Sequence, residues 1–290
     1  MNSRQKKILK AVALVLFLVV MTGCTRNLDE DGVLIAERAI TKATPWSLSG
    51  GIFDFIIVIP IAKCIIYLSD VMNVALAVII TAILVNMITL PFMIKSTIST
   101  QRMQLIQPKV QAIQKKYQGR NDKNSQMRMS AELNALYKKN GVSMGSSFVP
   151  FLTLPLMLGM YYAVQRVEIL YDAHFLGIAL GEIPKAHILN LEIPYIVLLV
   201  LLAVGQWLSI EISQIMLKRK KGYRPNSQSG QMKMFNYVMI IMIVFIGLEL
   251  PSAMAIYWIT SSVIAILRTV LIEVKFNNDH KPQESYLTKK

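Results

Sequence analysis

Long apolar runs separated by polar loops dominate the chain. Five runs are long and apolar enough to be membrane-spanning helices, at about 72–94, 147–168, 193–217, 234–250 and 252–272. A sixth apolar run, 52–69, is interrupted by Asp54, Pro60 and Lys63. The pattern predicts an all-α integral membrane protein with five transmembrane helices, and it leaves the position of the sixth run to be decided by charge.

The distribution of charge predicts the topology, because basic loops of membrane proteins stay in the cytoplasm. The loop 95–145 carries ten Lys and Arg against two acids, and the loop 218–233 carries six against none. If the sixth run crossed the membrane, both loops would face outside, and the acidic loop 170–192 would face inside. We therefore predict an outer interfacial amphipathic helix over 52–70, with Lys63 snorkelling to the headgroups. The N-terminus is then outside and the C-terminus is cytoplasmic.

The segment 95–146 has a helical periodicity of its own. Apolar residues recur at Ile106, Val110, Ile113 and Tyr117, and again at Met129, Leu133 and Leu136, on either side of a polar turn at 118–125. Because Asn140-Gly141 supplies a C-terminal stop, the spacing predicts a cytoplasmic hairpin of two antiparallel helices. The hairpin has two interpretations. It is either a solvated element whose basic residues only keep it in the cytoplasm, or a receptor arm that binds nascent chains, with methionines as adaptable contacts. Composition favours the solvated element.

The N-terminus resembles an export signal. A basic segment precedes a short apolar stretch, 8–21, and then Met21-Thr22-Gly23-Cys24. Small residues directly before a cysteine resemble a bacterial lipobox. This predicts a signal peptide over 1–23, a diacylglyceryl and N-acyl lipid on Cys24, and an outer N-terminal segment over 24–51 tethered to the membrane. The alternative is an uncleaved signal anchor in which Cys24 has no role.

Composition supports a membrane protein and excludes several other classes. Of 290 residues, 54% are hydrophobic, more than the 45–50% that is usual in soluble proteins. The net charge of +14 could indicate nucleic acid, but its clustering in loops on one side fits the positive-inside rule and anionic lipids better than DNA. The two cysteines and three histidines form no metal-ligand set or catalytic triad, and no GxxxxGK[ST] motif occurs. We therefore expect no cofactor and no enzyme.

Several motifs, in a fixed order, resemble those of one known family. They are LPFMIKS (90–96), QPKVQAIQKKY (107–117), NGVSMG (140–145), Pro155 with Tyr161-Tyr162, and LPSAMAIYWITSS (250–262). Together they resemble the YidC/Oxa family of membrane protein insertases over about 52–273. The lipobox and the absence of a large outer domain resemble its Gram-positive branch.

The resemblance implies a non-enzymatic insertase and chaperone in the plasma membrane of a bacterium. In the family, five helices enclose a polar groove that opens to the cytoplasm and to lipid and is sealed toward the outside. A short hydrophilic segment of a nascent membrane protein would enter it, and this lowers the cost of moving polar groups through hydrocarbon. The implied partners are nascent membrane proteins, membrane lipids, the Sec translocon and the ribosome. Because the tail 274–290 is short, ribosome contact would use the hairpin and 218–224.

The chain departs from the family at two groove positions. Members usually carry an arginine five residues before the proline of the LP motif, where this chain has Asn86. The family's glutamine in the second span appears here as Thr153. Asn86 can hydrogen-bond but supplies no charge, so it could equally be a contact between helices.

The candidate groove residues follow from these motifs and from the polar residues within the spans. They are Asn86, Thr153, Gln206, Glu211, Tyr257, Trp258 and Arg268. Glu211 and Arg268 are predicted to lie at similar depth, and we hypothesise that they pair and replace the missing arginine. The alternatives are that both snorkel to headgroups, and that Tyr257 and Trp258 are ordinary packing residues.

Two other functions remain open beside a general insertase. A specialised paralogue or assembly factor with few substrates would fit the changes at Asn86 and Thr153. A small-solute transporter fits less well, because five spans with a single hairpin show no inverted repeat.

Overall fold

The computed structural model describes residues 38–120, 122–142, 149–220 and 227–276, without the side chains of 149–153 and 227–233. The signal peptide, Cys24 and residues 277–290 of the tail lie outside this part of the chain. The helices are α1 (Ile59–Ser69), α2 (Val74–Lys116), α3 (Lys123–Lys139), α4 (Val149–Arg166), α5 (Pro184–Leu189), α6 (Ile193–Lys218), α7 (Ser227–Leu248) and α8 (Ser252–Phe276). A π-helix, Asp54–Val58, runs directly into α1.

The predicted all-α membrane fold is confirmed. Within the described residues, three helices are long and apolar enough to cross a membrane: Val74–Lys116, Ile193–Lys218 and Ser252–Lys275. Met234–Leu248 is a shorter apolar helix. The only strands in the described part are His174–Phe175 and Ile178–Ala179, which form a two-stranded antiparallel hairpin, β1–β2. Five spans and the interfacial position of 52–70 stay predictions.

No break in the helix separates the first span from the first arm of the hairpin, and the membrane boundary at residue 95 stays a prediction. α2 continues for 43 residues through Pro91 and Pro108, and at 1.5 Å per residue it is about 65 Å long. The reason is local. The stretch from Val74 to Lys116 contains no glycine, and an isolated proline usually kinks a long helix without ending it. The first span and the first arm of the hairpin are therefore one helix.

The hairpin has the predicted apolar stripes. Ile106 and Val110 of α2 are buried with Val142, and Leu133, Leu136 and Tyr137 of α3 pack on them. The Asp122 side chain caps α3 by accepting from the Ser125 amide at 2.8 Å. Gly141, at a φ of 62°, follows the C-cap Asn140. The carboxylate of Glu132 accepts from Lys116 (2.6 Å) and from the Tyr117 hydroxyl (2.8 Å).

The chain divides into two compact units. The first contains the described parts of 1–85, 152–202 and 243–260, and the second those of 86–151, 203–242 and 261–290. The core of the first unit is continuous and apolar, with buried residues from α1, the start of α2, α4, α6 and the start of α8. In this unit Gly159 of α4 allows close approach of the π-helix, since a Cβ there would lie 2.1 Å from the Ile57 Cγ2.

The segment 38–50 is tied to the rest of the first unit by charged groups. Arg166 pairs with the Asp54 carboxylate, and its Nε donates to the Arg38 carbonyl at 2.8 Å. The Ile40 amide donates to the Arg166 carbonyl at 2.6 Å. The Lys63 Nζ donates to two carbonyls of this segment, at Thr41 (3.0 Å) and at residue 42 (2.8 Å), and its snorkelling to the headgroups stays a prediction. Main-chain carbonyls nearby satisfy a half-buried ammonium by accepting its hydrogen bonds.

The loop between α4 and α6 is fixed by hydrogen bonds to helix termini. The Tyr195 hydroxyl of α6 accepts from the Ala179 amide in β2 at 2.9 Å. The Glu182 carbonyl accepts from both the amide and the hydroxyl of Ser252, each at 2.9 Å, where α8 begins. This loop is therefore part of the packed unit, although its length and polarity are those of a surface connection.

His187 lies between two carboxylates of this loop. Its Nε2 is 2.5 Å from Glu182 and its Nδ1 is 2.9 Å from Glu192, while its ring stacks on Tyr195 at 4.0 Å between centroids. The bond to Glu192, and then that to Glu182, raise the pKa of His187 above its usual 6.5. Two carboxylate partners suit an imidazolium, because only the charged ring donates from both nitrogens.

Asp54→Asn is expected to lower the free energy of unfolding by about 3 kcal/mol, since it leaves a largely buried guanidinium without its carboxylate. The two side chains are only 14% and 15% exposed. Asp70→Asn is the control, because its pair with Lys42 is 43% and 57% exposed and should contribute less than about 1 kcal/mol. Thermal unfolding in detergent micelles measures both. Equal shifts in Tm would contradict the structural role of the Asp54 pair.

The stability of the first unit should also depend on pH through His187. Because its pKa is raised on folding, the stabilisation is fully present below pH 6.5 and is lost as the pH rises through the folded pKa. Tm measured between pH 5.5 and 8.5 should therefore fall more in the native chain than in His187→Gln. Parallel pH profiles for the two proteins would show that His187 does not titrate with folding.

Candidate functional site

Asn86 lies within the apolar part of α2 and makes a polar contact with α8. Its Nδ2 donates to the Ser261 hydroxyl at 3.2 Å, and both side chains are half-buried. A hydrogen bond between two apolar helices satisfies groups that hydrocarbon could not. The Thr89 hydroxyl donates to the Asn86 carbonyl at 3.0 Å, which adds a second polar group to the same turn of α2.

α6 lies close to α8 near this contact, without requiring a glycine there. A Cβ on Gly205 would lie 3.5 Å from the Cβ of Ser262, which is ordinary van der Waals contact. Gln206 follows Gly205 and is half-buried, and its carbonyl accepts from the Ser209 hydroxyl at 2.8 Å. The second unit thus carries short polar side chains on three spanning helices, where a polar segment could be hydrogen-bonded.

The hypothesised pair between Glu211 and Arg268 is not formed. Glu211 lies 3.8 Å from Lys218, seven residues further along α6. Arg268 has no carboxylate within ion-pair distance among the described residues, and its Nε is buried without a hydrogen-bond partner. The physical reason is that Lys218 lies two turns from Glu211 on the same face of α6, so the helix itself holds the two side chains close together.

The structure brings together three residues that the sequence did not single out. The Lys220 ammonium donates to the Gln101 side-chain oxygen at 2.9 Å and lies 3.5 Å from the Glu273 carboxylate. Gln101 is 5% exposed, and Lys220 and Glu273 are each 18% exposed. This network joins α2 near Gln101 to the segment just after α6 and to the end of α8. Lys220 is 119 residues from Gln101 and 53 residues from Glu273 in the sequence. No local sequence pattern could therefore have predicted this network.

Comparison with known proteins settles the family. The profile of the family described as "60Kd inner membrane protein" matches residues 66–279. The chain is 30% identical to "Membrane protein insertase YidC" of Alkalihalophilus pseudofirmus, over 93% of this chain and 96% of that protein. The chain belongs to the YidC/Oxa family.

Other relatives extend the same match. "Membrane protein insertase YidC 1" of Halalkalibacterium halodurans is 31% identical over 90% of this chain and 89% of its own length. "Membrane protein insertase YidC 2" of Listeria innocua is 30% identical over 96% of this chain and 87% of its own length. The family predicted from the sequence is confirmed, and the relatives support membrane protein insertion as its function.

The aromatic pair of this YidC/Oxa chain lies in the core of the first unit. Tyr257 and Trp258 are 7% and 8% exposed, and a Cβ on Gly247 would be 3.7 Å from the Trp258 ring. This burial fits the packing alternative. Thr153 lies on α4, but its side chain is outside the described residues, so its role as a groove residue stays a prediction. The same holds for the lipid on Cys24.

The described residues of this YidC/Oxa chain contain no group of three metal-ligating side chains. What the polar side chains of α2, α6 and α8 can do is donate and accept hydrogen bonds inside an apolar bundle. The candidate site is therefore a set of hydrogen-bonding groups.

Lys220→Met is expected to destabilise the second unit by about 2 kcal/mol, because it removes the charged hydrogen bond to Gln101 and the charge beside Glu273. Hydrogen exchange should become faster around Gln101, where α2 leaves the bundle. Lys218→Met is the matched control, since its ammonium is 40% exposed and 3.8 Å from Glu211. If the two variants exchange alike, the network does not hold α2.

Proposed function

We propose that this chain is a membrane protein insertase of the plasma membrane of a bacterium. The observation that carries the proposal is the match to proteins named membrane protein insertases over nearly the full length of both chains. The polar groups of the second unit supply a physical mechanism for this function. They can hydrogen-bond to a hydrophilic segment of a nascent protein while its apolar segment remains in lipid.

The energetic task is to lower the cost of a polar segment in hydrocarbon. Each unsatisfied amide or hydroxyl costs several kcal/mol in an apolar medium. Asn86, Ser261 and Gln206 offer hydrogen-bonding groups to a transient segment, and their own bonds can be exchanged for bonds to water or to the client. Side chains with neutral amides and hydroxyls hold such a segment weakly, which suits release.

The finer features of the proposal concern topology and partners. The N-terminus lies outside and is anchored by a lipid on Cys24, and the C-terminus is cytoplasmic. The excess of Lys and Arg in 95–145 and 218–233 supports this orientation. Client membrane proteins meet the chain from the cytoplasm, with the ribosome at the hairpin and the Sec translocon and lipids beside the spans. No chemical reaction or nucleotide is part of this function.

A specialised paralogue is the second candidate, and one observation favours it. Asn86, where the family pattern has an arginine, is hydrogen-bonded to Ser261, so the position carries a neutral contact between helices. A narrower set of substrates would follow if general insertion requires a cation there.

Depletion of a bacterial cell's own insertase activity, with this chain as the sole replacement, tests the function. We expect restored growth and restored insertion of a small single-span protein, measured by protease accessibility of its tail. Asn86→Leu is expected to reduce insertion severalfold, because it removes the polar group without adding bulk.

Asn86→Arg separates the two candidates. In a general insertase it should change which clients are inserted without creating the activity. Rescue by Asn86→Arg but not by the native chain, at equal amounts in the membrane, would establish the specialised paralogue. Rescue by neither would overturn the proposed function.

A further inference from the structure

Four large apolar side chains are strongly exposed around the start of α6. They belong to the turn of the β1–β2 hairpin and to the connection from α5 to α6, and we call them the apolar rim. The rim consists of Leu176, Leu189, Leu191 and Ile193, which are 72–79% exposed. The hairpin turn lies against α6, because a Cβ on Gly177 would be 3.3 Å from the Pro194 Cγ. Single exposed leucines need no explanation, but four around one helix end form a patch that does.

Two of the rim leucines have a backbone conformation that leucine disfavours. Leu176 and Leu191 have φ angles of 50° and 59°, and they are the only residues other than glycine with a positive φ in the described part of the chain. Leu176 and Gly177 form a two-residue hairpin turn with positive φ at both residues, the type in which Asn-Gly is usual. Backbone conformation and water would both favour a polar residue at these positions. Retention of leucine there indicates that the side chain itself has a favourable contact.

The rim continues an apolar face of α6. The buried face of the helix carries Tyr195, Leu198 and Leu202. The opposite face is exposed and runs from Ile193 through Val197, Val200 and Leu201. Because α6 is long and apolar enough to cross a membrane, this exposed apolar face lies against lipid. The rim residues that precede α6 extend the same apolar surface beyond the end of the helix.

The length of the uncharged part of α6 leaves room for the rim in the membrane. Residues 193–210, between Glu192 and Glu211, carry no charge, and as a helix they are about 27 Å long. The hydrocarbon core of a bilayer is about 30 Å thick. The helix alone therefore falls slightly short, and apolar residues just before Ile193 would cover the difference.

The charged side chains next to the rim have partners within the same unit. Glu192 stands between two rim residues in the sequence, and its carboxylate is 2.9 Å from the His187 Nδ1. Glu182 is 2.5 Å from the other ring nitrogen, and Lys185 pairs with Glu249. Paired charges beside apolar side chains suit the headgroup region, where amphipathic segments lie with their apolar face toward the acyl chains.

We propose that the apolar rim lies in the bilayer, at the boundary between the headgroups and the acyl chains of the leaflet in which α6 begins. In the proposed topology this is the outer leaflet. The partner of the rim is lipid, and the contact fixes how deeply the start of α6 sits. The inference goes beyond the proposed function, because it involves no client and does not depend on insertion.

Spin labels measure the depth of the rim directly. The full chain with Cys64→Ser is reconstituted in vesicles of phosphatidylcholine and phosphatidylglycerol and carries Leu176→Cys, Leu189→Cys or Leu191→Cys, each labelled in turn. Asp172→Cys, in the same loop and also exposed, is the matched control, and the labelled parent chain gives the background from Cys24. Collisions with oxygen, which concentrates in acyl chains, are compared with collisions with a water-soluble nickel chelate. The three rim labels should favour oxygen over the chelate severalfold, and the label at 172 should show the opposite order.

Tryptophan fluorescence gives an independent measure of depth. Leu189→Trp should be quenched more strongly by phospholipids brominated near the headgroup than by those brominated near the bilayer centre, after subtraction of the native tryptophans. Lys185→Trp, on the same short helix, should be quenched by neither. The two variants change exposed side chains, so both chains are expected to fold.

Two kinds of result would overturn the proposal. Rim labels that meet the nickel chelate as readily as the label at 172 would place the rim in water. Protection from both oxygen and the chelate would show that protein covers the rim. If dilution of the chain into excess lipid relieved that protection, the cover would be a second copy, and if not, another segment of the chain. Client insertion is measured separately in the same vesicles, so its absence would contradict the proposed function and leave the depth of the rim to its own measurement.

Discussion

A polar or charged group inside a bundle of apolar helices must find a partner within the protein, because hydrocarbon supplies none. Several polar side chains in the described part of the chain are arranged by that constraint. Arg166 is held by Asp54, and Lys63 by two main-chain carbonyls. Asn86 bonds to Ser261.

The two compact units meet this constraint differently. The first has a continuous apolar core, and hydrogen bonds hold the segment 38–50 and the loop after α4 to the rest of the unit. The second carries the polar residues of α2, α6 and α8 and the basic hairpin. In the proposed function, the polar residues of the second unit are the ones that exchange hydrogen bonds with a passing segment. Neutral groups suit this role, since a client must be bound weakly and released into lipid.

The sequence predicted the helices well and their partners poorly. Apolar runs located the three described helices that are long and apolar enough to span a membrane. The period of Ile106, Val110, Leu133 and Leu136 located the hairpin, because these signals are local. The continuity of α2 through Pro91 was missed, since a proline in a sequence does not show whether neighbouring helices support the turn around it. The predicted pair of Glu211 and Arg268 was wrong, and the network around Lys220 was not predicted, for the same reason. Depth in a helix can be counted from sequence, but the direction of a side chain around it depends on packing.

The measurement that tests the account most directly is insertion by the purified full chain alone. The chain is reconstituted into phospholipid vesicles, a small single-span client is added, and protease protection of its short hydrophilic tail is followed over time. The account predicts that the tail becomes protected in vesicles that contain the chain and not in empty vesicles, with less protection for Asn86→Leu than for the native chain. Equal protection in empty and loaded vesicles, with the chain shown to be folded by its thermal transition, would contradict the claim that its polar side chains lower the barrier to insertion.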